Sequence, residues 1–136
     1  MADTLTGHLV FATLHTSTAV GTIERIIGLY PPEQQVQARV SLSEVLKGII
    51  AQTLLPKTGG GRVGAFEVLV SNPAVANLIR EMKSGQIMNV METGRSQGNQ
   101  LLNEELVKLV TAGTIEQETA YRRASNKDDF NRRLKR

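Results

Sequence analysis

The stretch "GHLVFATLHTS", residues 7–17, decides how the rest of the chain is read. Leu9-Val10-Phe11-Ala12 is an unbroken apolar run framed by His8 and His15, the pattern of a strand buried on both faces of a parallel sheet flanked by helices. A parallel strand needs parallel neighbours, and each is reached through a crossover of a dozen or more residues. Only six residues precede Gly7. The sequence therefore predicts that strand 8–14 belongs to a sheet encoded mostly upstream, and that the chain is the C-terminal part of something larger.

Working outward, Thr16-Ser17-Thr18 supplies N-cap candidates for a helix whose buried face is Ile23, Ile26 and Ile27. Pro31-Pro32 ends that helix and starts another. The apolar positions Val36, Val40, Leu42, Val45, Leu46, Ile49 and Ile50 then predict a long amphipathic helix to about Ile50. Leu54-Leu55 and Phe66 to Val70 read as two strands around the glycine-rich turn Lys57–Arg62. Ser71-Asn72-Pro73 caps a helix carrying Val75, Leu78, Ile79 and Met82, with Leu78, Ile79 and Met82 as core and Arg80 and Glu81 exposed. Short helices follow at about 84–92, 99–112, 115–124 and 126–134, with Gly113 at a C-terminal stop and Ser125 and Asp128 as a capping-box-like start. The order is one strand, two helices and a hairpin over residues 1–70, an α/β part, then a helical subdomain over residues 71–136.

Composition narrows the function classes. The 136 residues, 40% of them hydrophobic, suit one domain with an ordinary aliphatic core. Three Phe, two Tyr and no Trp make stacking platforms for bases or sugars an unlikely design, and direct nucleic-acid binding is not expected. The absence of cysteine excludes disulfides and thiolate metal sites and fits a reducing compartment. No run reaches membrane-spanning length and no signal-peptide pattern opens the chain, so a cytoplasmic protein is expected. The net charge of +3 conceals an asymmetry: Arg122 to Arg136 holds seven basic residues against Asp128 and Asp129, leaving +5 there and −2 over the rest. Such a tail is either a solvated helical end or a patch for an acidic protein, anionic lipid or nucleic acid.

Two motifs bear on chemistry. Gly59, Gly61 and Gly64 formally satisfy G-x-G-x-x-G, but that pattern cradles a dinucleotide only between a strand and a helix, and here a strand follows, as in a hairpin. G-x-x-x-x-G-K-[ST] does not occur, so the chain carries no phosphate-cradling P-loop. His8 and His15 lie seven apart, on opposite faces of a strand, which disfavours a shared metal ion. At the C-terminal strand end, beside Thr13, Thr16 and Ser17, His15 sits where open parallel sheets bind ligands. The pattern leaves it two roles, a hydrogen-bond donor to a phosphate oxygen or a simple strand-end residue.

Taken together these residues resemble a known family. Thr6–Thr16 resembles the histidine box of the secretion ATPase superfamily, the hexameric motors of type II secretion and type IV pili. Ile23-Glu24-Arg25, Tyr30–Gln35, Gln52-Thr53-Leu54-Leu55, Gly60–Val63 and Phe66-Glu67 are similar to the same family in the same order. Pro73–Glu81, Gln100-Leu101-Leu102-Asn103 and Gly113-Thr114-Ile115 look like its PilT-like, twitching-motility retraction branch, with Ala76 departing from an arginine in that branch's signature. The lack of cysteine agrees, since extension and type II secretion relatives typically carry a four-cysteine zinc site.

The resemblance implies a RecA-like α/β ATPase fold whose P-loop and Walker B segment lie ahead of the histidine box and outside this sequence. It implies that His15 reads the γ-phosphate side of an ATP–Mg²⁺ site, that His8 supports the box, and that Thr13 and Thr16 line the nucleotide. Asn77, Leu78, Ile79, Arg80 and Glu81 would tune motor output. The implied setting is a hexamer at the cytoplasmic face of the inner membrane, working on a pilus platform protein to drive pilin removal. This chain alone is expected neither to hold ATP tightly nor to hydrolyse it. Three rivals remain: a type II secretion or pilus-assembly ATPase, a binding module using the basic tail, and a histidine-based enzyme, although no nucleophile or carboxylate stands at a diagnostic spacing from either histidine.

Overall fold

A computed structural model describes residues 5–136. Seven helices and one hairpin follow in order: α1 (Ala19–Ile27), α2 (Gln35–Val45), β1 (Gly48–Pro56), β2 (Arg62–Val70), α3 (Pro73–Arg80), α4 (Ile87–Thr93), α5 (Leu102–Thr111), α6 (Gln117–Arg123) and α7 (Lys127–Leu134). Single 3₁₀ turns at Pro32–Gln34, Ser84–Gln86 and Arg95–Gln97 lead into or between these helices.

The hairpin is the spine. β1 and β2 pair antiparallel from Gly48↔Val70 to Pro56↔Arg62, closed by a turn in which Gly60 and Gly61 take positive φ. Residues of alternate register share a face, so Ile49, Ala51 and Leu55 with Ala65, Glu67 and Leu69 point inward, while Ile50 and Leu54 point outward. The inner face carries two separate apolar clusters. Ile49 and Leu69 join Ala19, Ile23, Ile27, Ala38, Leu42, Val75, Ile79, Ile87, Met91 and Leu101. Leu55 and Ala65, nearer the turn, join Leu102, Leu106, Ile115, Ala120, Ala124 and Phe130. At the far end Thr58 ties the turn to the α5–α6 loop, its hydroxyl donating to Gly113 O at 2.6 Å and its amide to Thr114 O at 3.0 Å.

Several expectations need correction. Residues 8–14 form no strand, because among the described residues no neighbouring strand pairs with them: β1 and β2 bond each other, and the one further bridge joins β2 to Gln100. Without a ladder the apolar run faces water, Leu9 at 72% and Phe11 at 89% exposure. The second helix stops at Val45 rather than Ile50, since Leu46 turns extended and Ile49-Ile50 are drawn into β1. Gly48 permits this entry, for a Cβ there would stand 2.9 Å from Leu69 O. Met82 is not core: it takes φ +60 just past α3 and is 68% exposed. The start of α7 is capped by Asn126, whose side chain accepts from Asp129 N, rather than by Ser125. Elsewhere the caps fall as expected, with Thr18 accepting from Gly21 N, Asn72 accepting from Val75 N and Gly113 at φ +70.

Candidate functional site

The histidine segment runs from solvent into the first helix. His8 is exposed, with its Nδ1 3.0 Å from the Thr6 hydroxyl. Thr13 and His15 are exposed as well. Thr16 is half-buried and its Oγ1 lies 2.6 Å from Thr22 Oγ1. Because Thr22 spends its proton on Thr18 O at 2.8 Å, Thr16 is the donor in that pair. Two residues on, the N-terminus of α1 is already served by anionic and neutral oxygens: Ala19 N donates to Glu67 Oε1 at 2.7 Å and Gly21 N to Thr18 Oγ1 at 3.1 Å. Two of the first-turn amides that a phosphate would take at such a helix end are thus engaged, and His15 and Thr13 stand exposed beside it.

No group of three or more His, Cys, Asp or Glu side chains among the described residues is placed to hold a metal ion. Two open depressions of about 400 Å³ each lie on the C-terminal helices, one along Gln117, Glu118, Tyr121 and Asn131 and the other along Arg95, Glu104, Val107, Lys108, Arg133 and Arg136. Neither reaches residues 8–16. Among the described residues His15 makes no hydrogen bond or ion pair with a carboxylate or nucleophile.

The predicted output helix, α3, buries Val75 and Ile79 and half-buries Leu78, while Asn77, Arg80 and Glu81 face out. Arg80 is nevertheless anchored: Nη1 donates to Ser43 Oγ on α2 at 3.1 Å and Nη2 bonds Asn77. Glu81 pairs with Lys83 at 2.8 Å in solvent. Further along α2, Arg39 is 9% exposed and forks onto Glu24 of α1, Nη1 to Oε1 at 3.1 Å and Nη2 to Oε2 at 2.8 Å. That guanidinium holds the Glu24 carboxyl below its ordinary pKa against the opposing effect of burial. Sequence reasoning missed this pair, since a separation of fifteen residues carries no local signal.

Glu67 was also missed as a site residue, although a signal existed. Strict alternation along Val63, Ala65, Glu67 and Leu69 places a carboxylate on the buried face. It is 3% exposed, and Oε2 accepts from Leu102 N at 3.3 Å.

Three of the seven cations of the basic tail, Arg122, Arg132 and Arg133, pair with carboxylates. Arg133 gives Nε to Asp129 Oδ2 at 2.7 Å, Nη1 to Glu104 Oε1 at 2.9 Å and Nη2 to Glu92 Oε1 at 2.7 Å. Arg132 pairs with Asp129 at 2.7 Å, Arg122 with Glu118 at 3.0 Å, and Lys127 Nζ donates to the carbonyls of Tyr121, Arg122 and Ala124. Burial pushes the Asp129 carboxyl up, but hydrogen bonds from Arg133, Asn103 and Arg132 outweigh it and hold the group down at about 2. Arg123, Lys135 and Arg136 make no ion pair or side-chain hydrogen bond among the described residues.

Comparison with known proteins places this architecture. Residues 1–59 match the family described as type II/IV secretion system protein. The type IV pilus retraction ATPase PilT of Pseudomonas aeruginosa is 46% identical over 125 residues, covering 92% of this chain and 36% of that protein. A twitching motility protein of Neisseria gonorrhoeae is 47% identical over 127 residues, covering 92% of this chain and 34% of that protein. Among solved structures, the pilus retraction motor PilT with bound ADP superposes with a TM-score of 0.81 at 47% identity, over 93% of this chain and 35% of that one. The hairpin-and-helix architecture is that of the C-terminal part of a secretion ATPase domain, and the chain belongs to the secretion ATPase superfamily. Within it the chain is PilT-like. It spans about a third of the length of the curated relatives it matches.

Proposed function

We propose that this chain serves as the C-terminal part of a hexameric ATPase that powers type IV pilus retraction, coupling ATP hydrolysis to pilin disassembly. The carrying observation is the agreement of sequence and fold with a retraction motor across nearly the whole chain, 47% identity at a TM-score of 0.81. Supporting it, the groups of the histidine segment left free by the fold are those that a phosphate would use: a neutral imidazole at His15 donates a hydrogen bond, a protonated one adds charge, and Thr13 adds a hydroxyl. His8 supports the segment through its contact with Thr6, and Thr16 holds it to α1 through Thr22.

The residues present do not by themselves make a nucleotide pocket, because the P-loop amides and the P-loop lysine have no counterpart here and the Ala19 and Gly21 amides of α1 are taken. ATP and Mg²⁺ therefore belong to a site completed by the motor's other segments, at a subunit boundary of the ring. Output passes through α3, whose Asn77, Leu78, Ile79, Arg80 and Glu81 pack on or face out from α2. The partners are further copies of the motor and an inner-membrane pilus platform protein at the cytoplasmic face. No helix among the described residues is long and apolar enough to cross a membrane.

The test is a chimera in which this chain replaces the corresponding third of the Pseudomonas PilT. Hydrolysis is expected to persist, and His15→Ala in the chimera is expected to lower turnover about a hundredfold, with hexamer and circular dichroism unchanged. Full turnover by the His15→Ala chimera overturns the reading.

A further inference from the structure

Glu67 is a buried carboxylate without an ion pair among the described residues, a costly arrangement unless other groups satisfy the charge. Its two oxygens go to two different helices. Oε1 accepts from Ala19 N, the first residue of α1, and Oε2 from Leu102 N, the first residue of α5. Both are helix N-termini, where orphan amides and the macrodipole favour an anion, so one side chain neutralises two ends at once.

Its position gives this sharing a consequence. Along the inner face of β2, Glu67 stands between Leu69, which belongs to the cluster of α1–α4, and Ala65, which belongs to the cluster of α5–α7. Between two otherwise separate apolar clusters, the carboxylate is a polar junction whose geometry depends on both. The helix on one side begins four residues after His15. On the other side, α5 carries Asn103 and Glu104, which anchor α7 through Asn126, Asp129 and Arg133.

We propose that Glu67 is a positioning residue that couples the His15 segment to the C-terminal helices, so that displacement of the start of α1 is passed through its carboxylate to the start of α5. A carboxylate suits this task because it offers acceptors on both oxygens. An amide offers one acceptor and turns an N–H₂ toward the second donor, so glutamine at this position serves one helix and breaks the link. The purpose of the coupling rests on the motor reading proposed above, whereas the coupling itself is a property of this chain without nucleotide.

The experiment is a double-mutant cycle read by amide hydrogen exchange on the full chain. Thr18→Ala removes the acceptor of Gly21 N and loosens the first turn of α1. With Glu67 in place, this change is expected to speed exchange of the Leu102 amide about threefold to tenfold, while the Glu81 amide, bonded to Asn77 O at the C-terminal end of α3 and off the link, stays unchanged. In a Glu67→Gln background, Thr18→Ala is expected to leave Leu102 unmoved. Should Glu67→Gln fail to fold, Glu67→Asp replaces it, a carboxylate too short to span both amides, with the same expectation. An unmoved Leu102 amide with Glu67 present, or an equal response in the substituted background, overturns the proposal. Either result leaves the His15 chimera test standing, and failure of that test leaves this cycle interpretable.

Discussion

The two ends of the described chain exchange the roles that their compositions suggest. Residues 8–14 hold the longest unbroken apolar run, Leu9–Ala12, and lie mostly in solvent, with Phe11 at 89% exposure. Residues 122–136 are the most charged and are folded inward, with Phe130 at 0% exposure and Arg133 shared among three carboxylates. The difference is one of partners. An apolar strand is stabilised only by neighbours on its edges and faces, and the described residues supply none for residues 8–14. A charged helix needs only one apolar side chain to seat and nearby opposite charges to satisfy, and α7 has both within its own neighbourhood.

That contrast can be broken most sharply at Phe130. Its ring is wholly buried among Leu102, Leu106, Ile115 and Ala120 and meets Tyr121 edge-on at 6.4 Å. Phe130→Ala is expected to cost about 3–5 kcal/mol in urea unfolding, enough to detach α7. An effect below about 1 kcal/mol would mean that the tail is a loose end after all.

The next largest effect lies in the charges. Asp129 accepts from Asn103, Arg132 and Arg133 and has a pKa of about 2, below its ordinary 3.8. Since folding lowers this pKa, the stabilisation is complete above about pH 4 and is lost as pH falls through about 2. Asp129→Asn is expected to cost up to about 2 kcal/mol at pH 7 and to flatten the fall in unfolding free energy between pH 4 and pH 2. An unchanged acid limb in that variant would assign the acid sensitivity to other carboxylates.

At the opposite end the expected effect on folding is small. Phe11→Ser should change unfolding free energy by less than about 0.5 kcal/mol, as for a surface position. It should, however, reduce concentration-dependent self-association in sedimentation velocity, because an exposed apolar ribbon with free backbone edges invites pairing. A loss of stability comparable to that of Phe130→Ala would show that residues 8–14 pack in solution.

Much of the fold was legible because it is local. The caps at Thr18 and Asn72, the Gly60-Gly61 turn and the stop at Gly113 follow from residue chemistry within a few positions. The α2–β1 boundary was misplaced because Ile49 and Ile50 fit either period, and only their pairing with Leu69 and Val68 decides for a strand. Met82 failed for a related reason: helical spacing continued past the residue at which the backbone leaves the helix. For the candidate site, His8, Thr13, His15 and Thr16 are proposed from their motif and the apolar run. Glu24–Arg39 and the double contact of Glu67 are not, since partners fifteen and more residues away leave no trace in spacing.

By itself the sequence determined where most helices lie, the caps at Thr18 and Asn72, the hairpin turn and the membership in a family of motors, because each is written in short-range patterns or in an ordered set of motifs. Only the tertiary structure decided which charges are satisfied and which apolar residues are left in water. Those outcomes depend on which distant groups arrive within about 3 Å of one another, and no local pattern specifies that.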